Sequence, residues 1–235
     1  MQLGKLENSA YDSLRKNRFD VFRIRDLCLL LSIKKIKAYN IIKSLKKKGA
    51  ILKIKNGLFS FKDVDEFIIA TSVHNPSYIS FWSALNYYGF TENMPKKIFL
   101  ATTKYSKEIN NFKYITLSKK RFFGYIKTGN LVIADKEKAI ADSLLLPKYA
   151  GGIKEVIKSM KNALNHIDIK KLILYSEKMQ SKSVLRRLGY ILEIIDRKSC
   201  LEVIHKKIGR GYELFDPSLE RKNNLNSKWL LDINT

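Results

Sequence analysis

Residues 32–61 read SIKKIKAYNIIKSLKKKGAILKIKNGLFSF. Ala38, Ile41, Ile42 and Leu45 recur at helical spacing and make one apolar stripe. Lys34, Lys35, Lys37, Asn40 and Lys43 fall off that stripe, toward solvent. Ser32 is a favoured N-cap type, and Gly49 stands where a helix end calls for a left-handed residue. Ile51, Ile54 and Leu58 mark two short strands joined by Lys55-Asn56-Gly57, a hairpin turn signal. The pattern predicts a helix with a basic free face, followed by a basic hairpin. From Leu27 to Lys62 there are ten lysines and no acidic residue. Solvated helices normally mix charge signs, so this imbalance points to an anionic partner. Duplex DNA fits, because its major groove admits a helix and its phosphates attract lysine.

Toward the N-terminus, Leu3, Leu6, Ala10 and Leu14 predict a first helix over about residues 3–16. Residues 19–24 form an extended link. Residues 25–31 form a second short helix with Leu27, Leu30 and Leu31 turned inward. Helix, short strand, helix, helix, hairpin is the order of a winged helix-turn-helix, here closing near Lys62. Asp63-Val64-Asp65-Glu66 then opens a new composition and predicts the first turn of a helix, which His74-Asn75-Pro76 ends. The expected domains are 1–62, binding DNA, and 63–235, with 63–75 as a bridging helix.

Downstream, Ser80 is placed to cap a helix whose Trp82, Leu85 and Tyr88 share a face, with Gly89 stopping it. The aromatics of residues 78–90 suit a core better than a base-stacking platform. Strands are expected at 98–102, 114–117, 124–127 and 131–134, the last pair turned by Thr128-Gly129-Asn130. Asp135 caps a helix running to Leu146, broken by Pro147. Residues 153–164, 169–179 and 183–195 give three more amphipathic helices, with Asp168 capping the middle one. The end is irregular, and Trp229 to Ile233 could add a last strand. The expected fold class is therefore α+β: an N-terminal winged helix-turn-helix, then a larger α+β domain with a small mixed or antiparallel sheet and several helices.

The chain has 235 residues and a net charge of +23. Residues 1–62 carry 16 basic and 4 acidic side chains, so about half the excess sits in the first quarter. Such a balance favours nucleic acid or an anionic surface. No apolar run approaches the ~18–20 residues of a spanning helix, so no membrane partner is expected. The first residues lack the apolar core of a signal peptide. Cys28 and Cys200 read as small buried hydrophobes in a reducing cytoplasm.

Several pieces together resemble the AbiEi-type antitoxins of abortive-infection (type IV) toxin–antitoxin systems. They are Lys48-Gly49-Ala50-Ile51 with Asn56-Gly57-Leu58-Phe59; Tyr78-Ile79-Ser80 with Ser83-Ala84-Leu85 and Gly89; and Glu137-Lys138-Ala139-Ile140-Ala141-Asp142. Arg187-Leu188-Gly189-Tyr190, Asp216-Pro217 and Lys228-Trp229 complete the set, in order and across nearly the whole chain. The resemblance implies a cytoplasmic transcriptional repressor. Its winged helix would bind inverted repeats in its own operon's promoter, as a monomer or weak dimer that pairs on DNA. Its larger domain would neutralise a nucleotidyltransferase toxin. No cofactor is implied.

The stretch 32–48 contains no arginine, the commonest reader of guanine, so Asn40, suited to adenine, is the expected base reader. Tyr39 suits a thymine methyl or a phosphate, or equally packing against the first helix. Lys34, Lys35, Lys37 and Lys43 are phosphate clamps. Lys53, Lys55 and Asn56 on the wing reach the neighbouring backbone or minor groove, and Arg23 and Arg25 hold a further phosphate. Nine basic residues against one acid between Lys96 and Lys127 could form a second basic surface, or serve only to guard strand edges.

Two other classes compete. A non-specific chromosome-coating protein would need no second domain larger than the first. A metal-dependent nuclease would need ligands. The three histidines are scattered without ligand spacing, and no phosphate-binding glycine loop or Gly-Ser nucleotidyltransferase signature occurs. Asp168-Ile169-Lys170 and Asp196-Arg197-Lys198 resemble nuclease triplets, expected inside helices, but 35 lysines make such triplets common by chance. Asp135, Glu137 and Asp142 are explained more simply by capping and helix-face roles. The expectation is a binding protein, not an enzyme, without metal.

Overall fold

A computed structural model describes residues 2–197 and 200–235. The fold is α+β. The chain divides into two compact units: one runs to Asn75 and includes Thr128–Leu131, and the other holds Pro76–Lys127 and Val132–Thr235. Among the described residues, no helix is long and apolar enough to cross a membrane.

The first unit runs α1 (Lys5–Lys16), β1 (Val21–Phe22), α2 (Ile24–Leu31), α3 (Lys35–Lys47), β2 (Ile51–Lys55), β3 (Leu58–Phe61) and α4 (Glu66–Val73). The strands form an antiparallel sheet in the order β1-β3-β2. Ala10 and Leu14 of α1, Leu27 of α2, and the full α3 stripe of Ala38, Ile41, Ile42 and Leu45 pack on Phe22, Phe59 and Phe61 in one core. Leu30 and Leu31 pack at its edge. Leu6, expected inside, is 56% exposed. The packed face is instead centred on Leu3, Ala10, Tyr11 and Leu14, which leaves Leu6 at its margin.

Ser32 is not the N-cap of α3. It ends α2 in a left-handed conformation (φ 50°), its amide donating to the Cys28 carbonyl. Lys34 takes the N-cap position without a side-chain cap. The turn between α2 and α3 needs one left-handed residue, and Ser32 supplies it. At the other end, Gly49 has φ 69°. Its amide donates to the Lys46 carbonyl (3.0 Å), and the Ala50 amide to that of Leu45 (2.9 Å). This paired closure turns the chain straight into β2. The helix expected over 63–75 is α4, which belongs to the first unit instead of opening the second; Asp65 caps it, its carboxylate accepting from the Phe67 amide (2.7 Å).

The second unit contains β4 (Ser77–Ile79), α5 (Phe81–Tyr87), β5 (Ile98–Thr102), β6 (Lys107–Ile109), β7 (Phe112–Thr116), β8 (Tyr125–Thr128) except Thr128, β9 (Leu131–Ala134) except Leu131, and α6 (Lys136–Leu145). There follow α7 (Ile153–Ala163), α8 (Ile169–Lys178), α9 (Lys182–Ile194), α10 (Leu201–His205), β10 (Glu213–Leu214), β11 (Leu225–Asn226) and β12 (Leu231–Asp232). The main sheet is mixed, in the order β6-β7-β5-β4-β9-β8. β5 and β7 pair parallel, as do β4 and β9. A small sheet, β10-β12-β11, gathers the C-terminal segment. Cys28 and Cys200 are half-buried thiols, less enclosed than expected.

α6 is not amphipathic: Glu137, Lys138 and Asp142 are all buried. Asp142 accepts from the Tyr78 hydroxyl (3.0 Å) and the Ser80 hydroxyl (2.7 Å) and pairs with the Lys138 ammonium. The ammonium also lies 4.8 Å from the centroid of Phe123. Burial pushes the Lys138 ammonium below its ordinary pKa, and burial followed by the Asp142 charge pushes the Tyr78 phenol well up. Ser80 therefore starts α5 without capping it by its side chain, because that hydroxyl is committed to Asp142.

Candidate nucleic-acid interface

α3 presents its charged face because its opposite face is the core. Lys34, Lys35, Lys37, Tyr39, Asn40 and Lys43 are all exposed, as are Arg23 and Arg25 at the start of α2. Lys53 and Asn56 are exposed on the hairpin, whose Asn56-Gly57 turn sets Gly57 at φ 73°. Lys55 differs. It is half-buried, and its ammonium donates to the Val73 carbonyl at the end of α4 (2.6 Å). That charge-assisted bond ties the hairpin to α4 and holds the ammonium away from solvent.

Between α3 and the hairpin lies a cleft of about 350 Å³. Ile24, Ile42 and Phe59 contribute apolar surface, and Tyr39, Lys43, Lys46 and Lys53 line it with polar ends. Tyr39, 53% exposed, belongs to this cleft. Lys46 was missed by sequence reading because it stands next to the stripe. Its only signal is its place one turn beyond Lys43. Ile36 was missed too: an isoleucine between two lysines, off the stripe, and 77% exposed.

One acid does enter this basic region, from α1. Glu7 accepts from the Gly4 amide (2.7 Å), the Ser44 hydroxyl (2.5 Å) and the Lys48 ammonium (2.5 Å). It thereby closes the N-terminus of α1 and pins the C-terminal half of α3. The Lys48 ammonium, then the Ser44 hydroxyl and the Gly4 amide, hold the Glu7 carboxyl down at about 2, against an ordinary 4.5. A carboxylate depressed in the folded state stabilises above its unfolded pKa and loses that contribution as pH falls toward its folded pKa. The difference in melting temperature between wild type and Glu7→Gln is therefore expected to be full at pH 6 and to shrink between pH ~4.5 and ~2. A constant gap across that range would show that Glu7 contributes nothing through its charge.

In the second unit, the basic run expected between Lys96 and Lys127 is partly neutralised. Lys97 (2.5 Å) and Lys113 (3.3 Å) pair with Glu108. Arg121 donates to the Met179 carbonyl (2.8 Å). Lys96, Lys104, Lys107, Lys119, Lys120 and Lys127 remain exposed.

Asp135, Glu137 and Asp168 have other duties. Asp135 caps α6 through the Lys138 amide (2.9 Å) and accepts from the Tyr175 hydroxyl (3.0 Å). Glu137 pairs with Lys171 (2.8 Å) and accepts from the Asp168 amide (2.9 Å). Asp168 caps α8, rather than sitting inside it. Asp196 lies past the end of α9, also outside a helix, while Lys198 of that triplet lies outside the described residues. Among the described residues, no three His, Cys, Asp or Glu side chains gather as metal ligands. No family model matches the chain, and no curated protein matches it either.

Proposed function

We propose that this chain is a sequence-specific DNA-binding repressor, with its first unit a winged helix-turn-helix, α3 its recognition helix and the β2–β3 hairpin its wing. The observation that carries the reading is the outer face of α3, where exposed lysines surround Asn40 with no exposed acid among them. Lys34, Lys35, Lys37, Lys43, Lys53, Arg23 and Arg25 hold phosphates, and Asn40 reads adenine. The α3–hairpin cleft suits one stretch of backbone: its apolar residues take the sugar, and Lys43, Lys46 and Lys53 the phosphate.

By the sequence resemblance, the protein is a cytoplasmic antitoxin. It represses its own operon from an inverted repeat and neutralises a nucleotidyltransferase toxin through its second unit. Two copies meet on that repeat. The test is the salt dependence of duplex binding. Six to eight phosphate contacts predict a slope of log affinity on log salt of about −5 to −7. A slope near −1 would remove the lysine clamp and the reading with it.

A further inference from the structure

We infer that Ile36 reads thymine: its side chain meets the 5-methyl groups of A·T pairs in the major groove, beside the adenine held by Asn40. The inference rests on the DNA-binding reading above and specifies what that face recognises. Among the large exposed apolar side chains of the first unit, Ile36 at 77% is the most exposed. It stands in the first turn of α3, where recognition helices of this order meet base edges. Ile36, Asn40, Lys43 and Lys47 recur at spacings of four, three and four, directly opposite the buried stripe of Ala38, Ile41, Ile42 and Leu45. Helix propensity does not explain an isoleucine there, since a β-branched side chain loses rotamer freedom in a helix. Packing does not explain it either, since no core covers it.

The surroundings select the occupant. Lys35 and Lys37 flank Ile36, and Lys43 lies two turns on, all exposed. A second copy of the chain would bring the same positive charges against this face. Duplex DNA brings phosphates to the lysines and, in the groove between them, the thymine methyl, the apolar feature that the major groove offers. Ile36 and Asn40 are four residues apart, or about 6 Å along the helix axis. Base pairs rise about 3.4 Å each. The two side chains therefore address pairs within about two steps of each other, a T and an A in close succession.

The experiment titrates the full chain and its Ile36→Ala variant against two duplexes of about 20 base pairs. One is alternating A·T, and the other has deoxyuridine in place of every thymidine. Fluorescence anisotropy at fixed low salt reads the affinities. Wild type is expected to bind the thymine duplex about fourfold tighter for each methyl contacted, and Ile36→Ala to bind both alike. Ile36 is solvent-facing, so the variant should keep the wild-type circular dichroism and melting temperature.

Equal wild-type affinities for the two duplexes would overturn the inference and leave DNA binding standing. A preference that survives in Ile36→Ala would also overturn it, assigning the effect to duplex shape. Equal weakening on both duplexes, with lost self-association in sedimentation, would make Ile36 a contact between copies and overturn it as well. No binding to either duplex would instead overturn the DNA-binding reading itself.

Discussion

Asp142→Ala is expected to destabilise the second unit by about 3–5 kcal/mol, the usual cost of breaking a buried ion pair from one side. Asp142 and Lys138 are both fully buried, and the carboxylate also serves the Tyr78 and Ser80 hydroxyls. Alanine leaves an ammonium and two hydroxyls without their acceptor, in a site too apolar to hydrate them. For a unit of this size, the loss corresponds to a melting temperature lower by roughly 6–20 °C. Removing Lys138 as well should return part of it, because the unpaired charge goes with the side chain. A cycle of Asp142→Ala, Lys138→Met and the double variant, followed by thermal unfolding, reads the coupling. Simple additivity would show that the two groups do not depend on each other.

The second large effect is expected at Gly189, on α9. A Cβ built there would lie 2.0 Å from Cζ3 of the buried Trp229 ring. In an exposed helix, Gly→Ala stabilises by up to about 1 kcal/mol. Here the overlap reverses the sign. Overpacking costs ~1–3 kcal/mol and occasionally more, and Trp229 cannot move without releasing the bond from its indole N–H to Glu193 and that from its amide to Asn226 (2.9 Å). Gly189→Ala should thus melt earlier, with Trp229 emission shifted to the red. Trp229 is one of only two tryptophans, so a Trp82→Phe background isolates the signal. A Gly189→Ala protein as stable as wild type, with unchanged emission, would contradict the packing described.

Several short pieces singled out in the sequence carry packing instead of chemistry. Tyr78-Ile79-Ser80 meets the Lys138–Asp142 helix through one carboxylate. Arg187 reaches the carbonyls of Leu144 (2.8 Å), Leu214 (3.0 Å) and Phe215 (3.0 Å), and burial pulls its guanidinium down to about 10. Asp216 accepts from the Ile153 amide at the start of α7 (2.8 Å). Gly189 makes room for Trp229. Each is a core contact that joins distant segments.

The first unit was the more legible half. Its helices carry apolar residues at a clear period, and Gly49 and Asn56-Gly57 mark its turns. Exposure of the α3 face follows directly from burial of the opposite stripe. What sequence reading missed there depends on distant partners: Glu7 on Lys48, and Val73 on Lys55. In the second unit, the helices at 153–163, 169–178 and 182–194 stood close to their expected limits. β4 and β6, three residues each, and β10 and β11 of the C-terminal sheet, two each, were not read, whereas β12 falls within the last strand expected over Trp229 to Ile233. Strands that short show no alternation, and only pairing to remote neighbours defines them. α10 escaped for the same reason, at five residues. Ser32 misled because a serine suits both an N-cap and a left-handed helix end, and only the length of α2 decides between them.

The most direct test of the central claim is a titration of the full chain on the DNA immediately upstream of its own gene. A scrambled duplex of the same composition serves as the reference, at two salt concentrations. A preference of about 10³-fold or more for the upstream duplex is expected, with footprints on both halves of an inverted repeat. Equal affinity for both duplexes would contradict a self-regulating repressor and leave a protein that coats nucleic acid without reading it.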